Sequence, residues 1–337
     1  MGHNLKDYLA YWGLQSSPFD HIGKDATQLF FPSEWQSMLD RLQFFCERSG
    51  SLLNIVTEPG HCKTSLAKWL YHSLDPIRHE VLMFSLFQEQ GKSGWLVPRL
   101  LKLTGATPAA DEEALEQLGA AIDELGMDDR VLTILIDEAH KLQTIKSLQD
   151  IHSLISIQSM VATRINIVLF GNPDLLTTID KSDTLRNRIS MSATVSPLTP
   201  DQIQTYLNAH LQNIGLSPNT ISFDALPNLH RFSRGLFSRL NTLVENSLIE
   251  AFLRKEKTIH SETVLAAGRF LPVMEPGAWE SQEQSRRASP ASPSHPIVAG
   301  TTESPGSPAE PTRQQSIELK RLFYKSGNTR GKKESAS

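Results

Sequence analysis

Cysteine is nearly absent: Cys46 and Cys62 are the only two in 337 residues. Two are too few for a disulfide scaffold, and they lack the paired spacing of a zinc site. A reducing, cytoplasmic setting is therefore expected. Long apolar runs are missing as well. No stretch reaches the roughly 18 apolar residues that cross a bilayer, and the first ten residues contain no apolar signal core, so neither a membrane span nor export is expected. Charge of one sign is not in excess either. A net charge of -4 gives no chain-wide footprint for nucleic acid, although it leaves room for a local basic patch. What is present suits a globular protein: 39% of the residues are hydrophobic and 21% charged. The length exceeds what one core usually organises, so a principal domain and a smaller one are expected.

Between Leu52 and Leu198 short apolar, β-branched runs alternate with helical patterns, the rhythm of a mostly parallel sheet covered by helices. Strands are expected at Leu52–Val56, Val81–Ser85, Val131–Ile136 and Ile165–Phe170, with helices such as Lys63–Leu74 and Lys146–Met160 between them. After Pro200 helical patterns take over, at Asp201–Ile214, Phe223–Arg231, Leu236–Arg254 and Ser261–Gly268. Thr199 reads as the cap of the first of these, with Pro200 in its first turn. The expected organisation is a lead-in segment 1–34, an α/β core 35–198, a helical domain 199–272 and a disordered Ser/Pro-rich tail 273–337. Within the tail, residues 316–325 place Leu319, Leu322 and Phe323 at helical spacing beside Lys320, Arg321 and Lys325. That segment reads either as a solvated stretch with a stray apolar cluster or as a short helix that docks on a partner.

The strongest local signal is the run from Asn54 to Ser65, in which an apolar strand leads through Thr57, Glu58, Pro59, Gly60, His61 and Cys62 to Lys63, Thr64 and Ser65. It has the form of a Walker A loop, where backbone N–H groups and a helix N-terminus surround phosphates, a Lys reaches the terminal phosphates and a hydroxyl holds Mg2+. Lys63 and Thr64 fit those two roles. The pattern usually has Gly where this chain has Thr57 and Cys62; a left-handed backbone at Cys62 would bring a strain of about 1 kcal/mol. Taken alone, so degenerate a loop also fits an ordinary strand-to-helix turn.

A second element decides. Val131–Ile136 is an apolar strand that ends in Asp137 and Glu138, the form of a Walker B motif, with Asp137 supporting Mg2+ and Glu138 polarising the attacking water of an ATP hydrolysis. Asp137-Glu138-Ala139-His140 also spells the name of a helicase class, but no second motor domain fits before the helical region. His140 has no second His or Cys at ligand spacing and reads as a polar residue at a helix start. Downstream, Asn172 follows the strand Ile165–Phe170 where an amide senses a γ-phosphate or its water; it also suits a turn before Pro173. Arg186 and Arg188 lie two residues apart and do not share a helix face; one of them is a candidate arginine finger onto a neighbour's nucleotide, and the sequence does not choose between them. Arg239, early in a long apolar-striped helix, is placed to reach across a domain gap to the phosphates.

In this order the motifs resemble the ExeA-like, general-secretion-pathway-A type of AAA+ ATPase, which is related to the target-selecting ATPases of transposons. The resemblance covers roughly residues 11–269. It opens with Tyr11-Trp12-Gly13-Leu14 and Pro18-Phe19, similar to the family's Y-F-G-L-x-x-x-P-F, and continues through Phe30-Phe31-Pro32-Ser33, the P-loop, the Leu-Ile-Asp-Glu-Ala run, the Gly-x-Pro-x-Leu turn, the Arg-x-Arg-Ile run and the Gly-x-x-Arg-x-x-Asn element. It implies an AAA+ core with a small helical lid, ATP and Mg2+ at the interface of a homo-oligomer, and Arg239 in the second-sensor role. Thr57 and Cys62 depart from the family's G-E-x-G-x-G-K-T, as do Asn172 and Asn187 from Gln and Phe237 from Pro. The family's secretion members continue into a membrane segment and a cell-wall-binding region where this chain has its Ser/Pro-rich stretch. The expected function is an ATP-driven switch of assembly or partner binding. Its alternatives are an ATP-dependent DNA-binding regulator of a transposase-like enzyme and a nucleotide-binding scaffold with little turnover.

Overall fold

The computed structural model describes residues 4–19, 31–48, 50–86, 94–103, 111–126, 130–142, 148–158 and 160–271. One compact unit runs to Gly268 and a second begins at Arg269; the expected tail 273–337 and its segment 316–325 lie outside the described residues, as does Phe30.

The centre of the first unit is a five-stranded, all-parallel sheet of β1 (Leu52–Thr57), β2 (His79–Ser85), β3 (Val131–Asp137), β4 (Ile165–Gly171) and β5 (Ile189–Val195), in the order β2-β3-β4-β1-β5. Strands β1, β3 and β4 are buried along their whole length, which is why they read as unbroken apolar runs: helices cover both faces of a parallel sheet. The register aligns Val56 with Gly171 and Ile136 with Leu169. The carboxyl ends of β1, β3 and β4 therefore lie side by side, the edge at which open α/β sheets carry their ligands.

Each expected strand is present, a residue or two longer than its apolar run. Strand β5 was not expected. Its Ser190, Ser192 and Thr194 alternate outward at the sheet edge, so it lacks the continuous apolar signature of its neighbours. Lys63–Ser73 forms α3 behind β1, and α4 (Leu96–Leu103), α5 (Asp111–Gly126) and α6 (Gln149–Ile157) follow. Leu100, Leu118, Ile122 and Leu154 join Ile134, Ile136 and Leu169 in the apolar core. Buried Asp150 in α6 accepts the backbone N–H groups of Gly94, Trp95 and Leu96 at 3.0, 2.7 and 2.8 Å, satisfying the start of α4 from a different helix. The short helices α7 (Asp174–Ile179) and α8 (Asp183–Arg186) lead into β5.

After β5 the chain is helical: α9 (Pro200–Asn213), α10 (Leu226–Ser233), α11 (Phe237–Arg254) and α12 (Ser261–Gly268). Thr199 caps α9 as expected, through a reciprocal pair with Gln202 at 3.3 and 3.0 Å. The expected helix from Phe223 is instead a 3-10 turn, Phe223–Ala225, that runs into α10 at the Leu226-Pro227 step. The lead-in helix α1 (Leu5–Trp12) packs on α11: the Trp12 indole donates to the Leu248 carbonyl at 3.2 Å, and Tyr8 and Tyr11 meet Phe252 edge-on. Gly13 ends α1 in the left-handed region, giving Tyr11-Trp12-Gly13 a mechanical reason. Helix α2 (Gln36–Arg48) buries Leu39, Leu42 and Cys46. Among the described residues no helix is long and apolar enough to cross a membrane.

Candidate active site

The loop between β1 and α3 is closed by its own side chains. Thr57, the last residue of β1, donates its hydroxyl to the His61 carbonyl at 2.6 Å, and the His61 N–H donates to Glu58 O at 3.0 Å. Thr57 has an ordinary strand backbone, so replacing glycine here brings no strain and adds a tie across the loop. The other departure differs. Cys62 lies at φ 44°, ψ 7°, in the left-handed region, directly before Lys63. A side chain there costs about 1–2 kcal/mol relative to glycine. Gly60, at φ 77°, meets the same backbone demand without that penalty. Both cysteines are free thiols, and burial pushes their pKa values up, to about 12 for Cys46.

Lys63 opens α3 with its side chain only 9% exposed, and its Nζ lies 3.6 Å from Glu138 Oε1. Thr64 donates its hydroxyl to Asp137 Oδ2 at 2.7 Å; Asp137 itself is buried at the end of β3, and its Oδ1 accepts the Glu138 N–H at 2.8 Å. Glu138 sits at φ 59°, ψ 31°, a second left-handed, non-glycine position in the same site. Backbone strain of this kind collects where a side chain must be aimed. Its carboxylate faces two cations, Lys63 and Lys141 Nζ at 3.6 Å, and the His140 ring, Nε2 at 3.5 Å. Lys141 also donates to the Leu86 carbonyl at 2.7 Å. Burial lowers the His140 pKa, with Glu138 pulling the other way.

Asn172 follows β4 in a local turn: its Oδ1 accepts the Asp174 N–H at 3.0 Å and its Nδ2 donates to Asp174 Oδ2 at 3.1 Å. Just before it, Gly171 packs so tightly that a Cβ there would lie 2.7 Å from Leu175 Cδ2 and 3.3 Å from the His140 nitrogen. That closeness holds the end of β4 against the turn after β3. Arg186 ends α8, exposed and paired with Asp183 at 2.7 Å; Arg188 is exposed in the turn before β5. Neither has an ion pair with Asp137 or Glu138 among the described residues. Arg239 lies in the first turn of α11, half-buried, its pKa lowered by burial and then by Arg234. Its neighbour Ser238 donates its N–H to Gly60 O in the loop at 3.1 Å. The structure thus brings Lys63, Thr64, Asp137 and Glu138 into one cluster, with the start of α11 against the loop.

Sequence reasoning took His61 as one residue of a phosphate loop and missed where its ring goes. The ring is 1% exposed; its Nε2 donates to the Ser196 carbonyl at 3.0 Å, and it stacks on Phe237 with centroids 5.3 Å apart and planes 22° apart. Burial pushes its pKa down to about 4 against the raising effect of the Ser196 carbonyl. These partners lie 135 and 176 residues further along the chain, so no local pattern signals them.

The site also fits the groups expected of it. Thr64 and Asp137 offer an oxygen pair of the kind Mg2+ takes with one or two carboxylates and a substrate's phosphates. Among the described residues no cluster of three or more His, Cys, Asp or Glu would hold a metal alone. An enclosed lysine at a helix N-terminus suits a polyphosphate.

Residues 47–179 match the family model described as AAA domain. The chain is 25% identical over 290 residues to general secretion pathway protein A of Aeromonas hydrophila, a match covering 81% of this chain and 50% of that protein; it spans about half the length of that relative. Among solved structures it resembles the Aeropyrum pernix ORC1 protein in complex with DNA (TM-score 0.58, 13% identity, 92% of this chain and 87% of that one). It also resembles the Aeropyrum pernix ORC2 protein in ADPNP–ADP complexes (TM-score 0.55, 15% identity, 75% and 71% covered). At these identities the likeness is one of fold. Residues 47–179 thus match an AAA domain, the chain has an AAA+ P-loop-like fold, and through most of its length it is similar to general secretion pathway protein A.

Proposed function

We propose that the chain is an ATP-binding, ATP-hydrolysing switch whose nucleotide state controls self-assembly or the grip on a partner. The observation that carries this reading is the Thr64–Asp137 hydrogen bond, which joins the first turn of α3 to the end of β3 with Lys63 and Glu138 on either side. In this reading the loop from Thr57 to Ser65 surrounds the phosphates, Lys63 exchanges its contact with Glu138 for phosphate oxygens, and Thr64 and Asp137 hold Mg2+. Bound Mg2+ neutralises charge developing on the transferred phosphoryl group. Glu138, released from Lys63, orients a water. Asn172 leaves its turn contact with Asp174 to sense that water. Arg186 or Arg188, both exposed, is supplied to a neighbouring subunit's nucleotide, and Arg239 comes from the helical part, residues 199–272, acting as a lid over the core 35–198. A cytoplasmic homo-oligomer belongs to the same reading.

A second reading is a DNA-dependent ATPase that recruits a DNA-processing enzyme, favoured by the fold shared with the ORC1 protein solved with DNA. A third is a nucleotide-binding scaffold with little turnover, favoured by the strained Cys62. The experiment that separates them is ATP binding and steady-state hydrolysis by the purified chain, with and without duplex DNA, for wild type, Lys63→Ala and Glu138→Gln. Hydrolysis lost in both variants with binding retained in Glu138→Gln supports the switch. Stimulation by DNA moves the reading to the second, binding without turnover to the third, and no binding overturns all three.

A further inference from the structure

We propose that His61 is a positioning residue, a latch that couples the setting of the helical lid to the phosphate loop. Its ring makes three contacts on other elements. Nε2 donates to Ser196 O, in the connection between β5 and α9; one face stacks on Phe237, the first residue of α11; and Trp35 packs edge-on at 5.6 Å. The aromatic contacts continue through the lid, since Phe237 meets Tyr206 edge-on at 4.9 Å and Tyr206 is stacked with His210, whose Nε2 donates to Pro18 O in the lead-in. One loop side chain therefore touches the connection, the lid and Trp35, just ahead of α2, at once.

Three further features make this a device and not incidental packing. A carbonyl only accepts, so Nε2 carries the proton and Nδ1 is left bare; Nδ1 is fully enclosed and has no partner among the described residues. Leaving such an acceptor unsatisfied is unfavourable, and a phenylalanine would fill the space without that penalty. What histidine adds over phenylalanine is the bond to Ser196. Second, the backbone repeats the connection: Gly60 O accepts the Ser238 N–H, one of the first amides of α11, which have no partner inside their own helix. Third, Thr57 ties its hydroxyl to the His61 carbonyl, so a shift of the ring is passed to the end of β1. A displacement of Phe237 by lid motion must move His61, and with it Cys62 and Lys63, which follow it directly.

The contact itself stands on geometry; only its meaning, lid closure over a nucleotide, rests on the function proposed above. The test is site-resolved amide exchange in the nucleotide-free full chain, comparing wild type with His61→Ala, His61→Phe and His61→Gln. The phenylalanine keeps the stack and loses the Ser196 bond; the glutamine keeps a donor and loses the stack. The Ser238 amide is expected to exchange at least tenfold faster in His61→Ala and several-fold faster in the other two, while Val244 in the middle of α11 is unchanged. Unaltered Ser238 protection in all the variants that melt cooperatively would overturn the latch. If the alanine variant does not fold, the phenylalanine and glutamine variants carry the decision. With ATP, His61→Ala should raise KM about tenfold and leave kcat within about twofold, a split that a catalytic group reverses; equal KM values would overturn the coupling. A wild type that binds no ATP would refute the proposed function and leave the exchange result standing.

Discussion

Thr64 and Asp137 meet across the site at 2.7 Å, hydroxyl to carboxylate, although 73 residues separate them. Asp137 is 2% exposed and spends its other oxygen on the Glu138 N–H. The pair ties the first turn of α3 to the end of β3. Thr64→Val keeps the shape and removes the hydroxyl. It should lower stability by about 1–2 kcal/mol and weaken Mg2+-dependent ATP binding at least tenfold while leaving Mg2+-free binding within a factor of two. Titration with and without EDTA, beside urea unfolding, checks both parts.

Cys62 carries a left-handed backbone at a position where a Walker A pattern has glycine. Cys62→Gly should stabilise the protein by roughly 0.5–1 kcal/mol, the relief of left-handed strain exceeding the entropy gained by the unfolded chain. Cys62→Val, branched at Cβ, should destabilise it by more than 1 kcal/mol. Equal unfolding midpoints for the three proteins would contradict this.

Gly235 and Gly215 share a positive φ, 71° and 84°, yet a Cβ on Gly215 meets open space and one on Gly235 would lie 2.3 Å from Leu198 O. The Leu198 N–H donates to Gly235 O at 3.0 Å, so the junction between core and helical part is backbone against backbone. Gly215→Ala should cost about 1 kcal/mol, from φ alone. Gly235→Ala should cost 3 kcal/mol or more, by the added overlap. Denaturant curves for the two variants give the difference directly.

His61 also sets a pH dependence. Its pKa falls from 6.5 to about 4 on folding, mainly through burial, so the unfolded chain takes up the proton first. Its contribution is fully present above pH 6.5, declines as pH falls toward 4 and is flat below, a total of roughly 3 kcal/mol. His79, His140, His152 and His210 are shifted in the same direction and add to the slope. Unfolding free energies between pH 7 and 4 should therefore fall in wild type and fall less steeply in His61→Phe.

Much of this arrangement was legible in the sequence because it is local. Burial on both faces makes β1, β3 and β4 continuous apolar runs, and the candidate site sits where those runs stop, at Thr57, Asp137 and Gly171. Thr199 with Pro200 announced α9 for the same reason, a cap and a first-turn proline side by side. Other features lacked any local trace. Edge strand β5 hides its character in Ser190, Ser192 and Thr194. Asn172 bonds to its own turn, so its identity alone did not distinguish a sensor from a turn former. The directions taken by His61 and by Trp12 depend on partners more than a hundred residues away, and the left-handed backbone at Glu138 belongs to a residue type that does not advertise it.

The bond from Trp12 to Leu248 spans 236 residues. During synthesis α1 leaves the ribosome long before the helix it rests on, so its aromatic face, Tyr8 and Trp12, must wait exposed while the sheet assembles. At about 5–20 residues per second that wait lasts on the order of ten seconds or more. Docking of α1 is therefore a late event in folding, and the stretch left open to chaperones and proteases meanwhile is one that later braces α11, whose first turn touches the loop between β1 and α3.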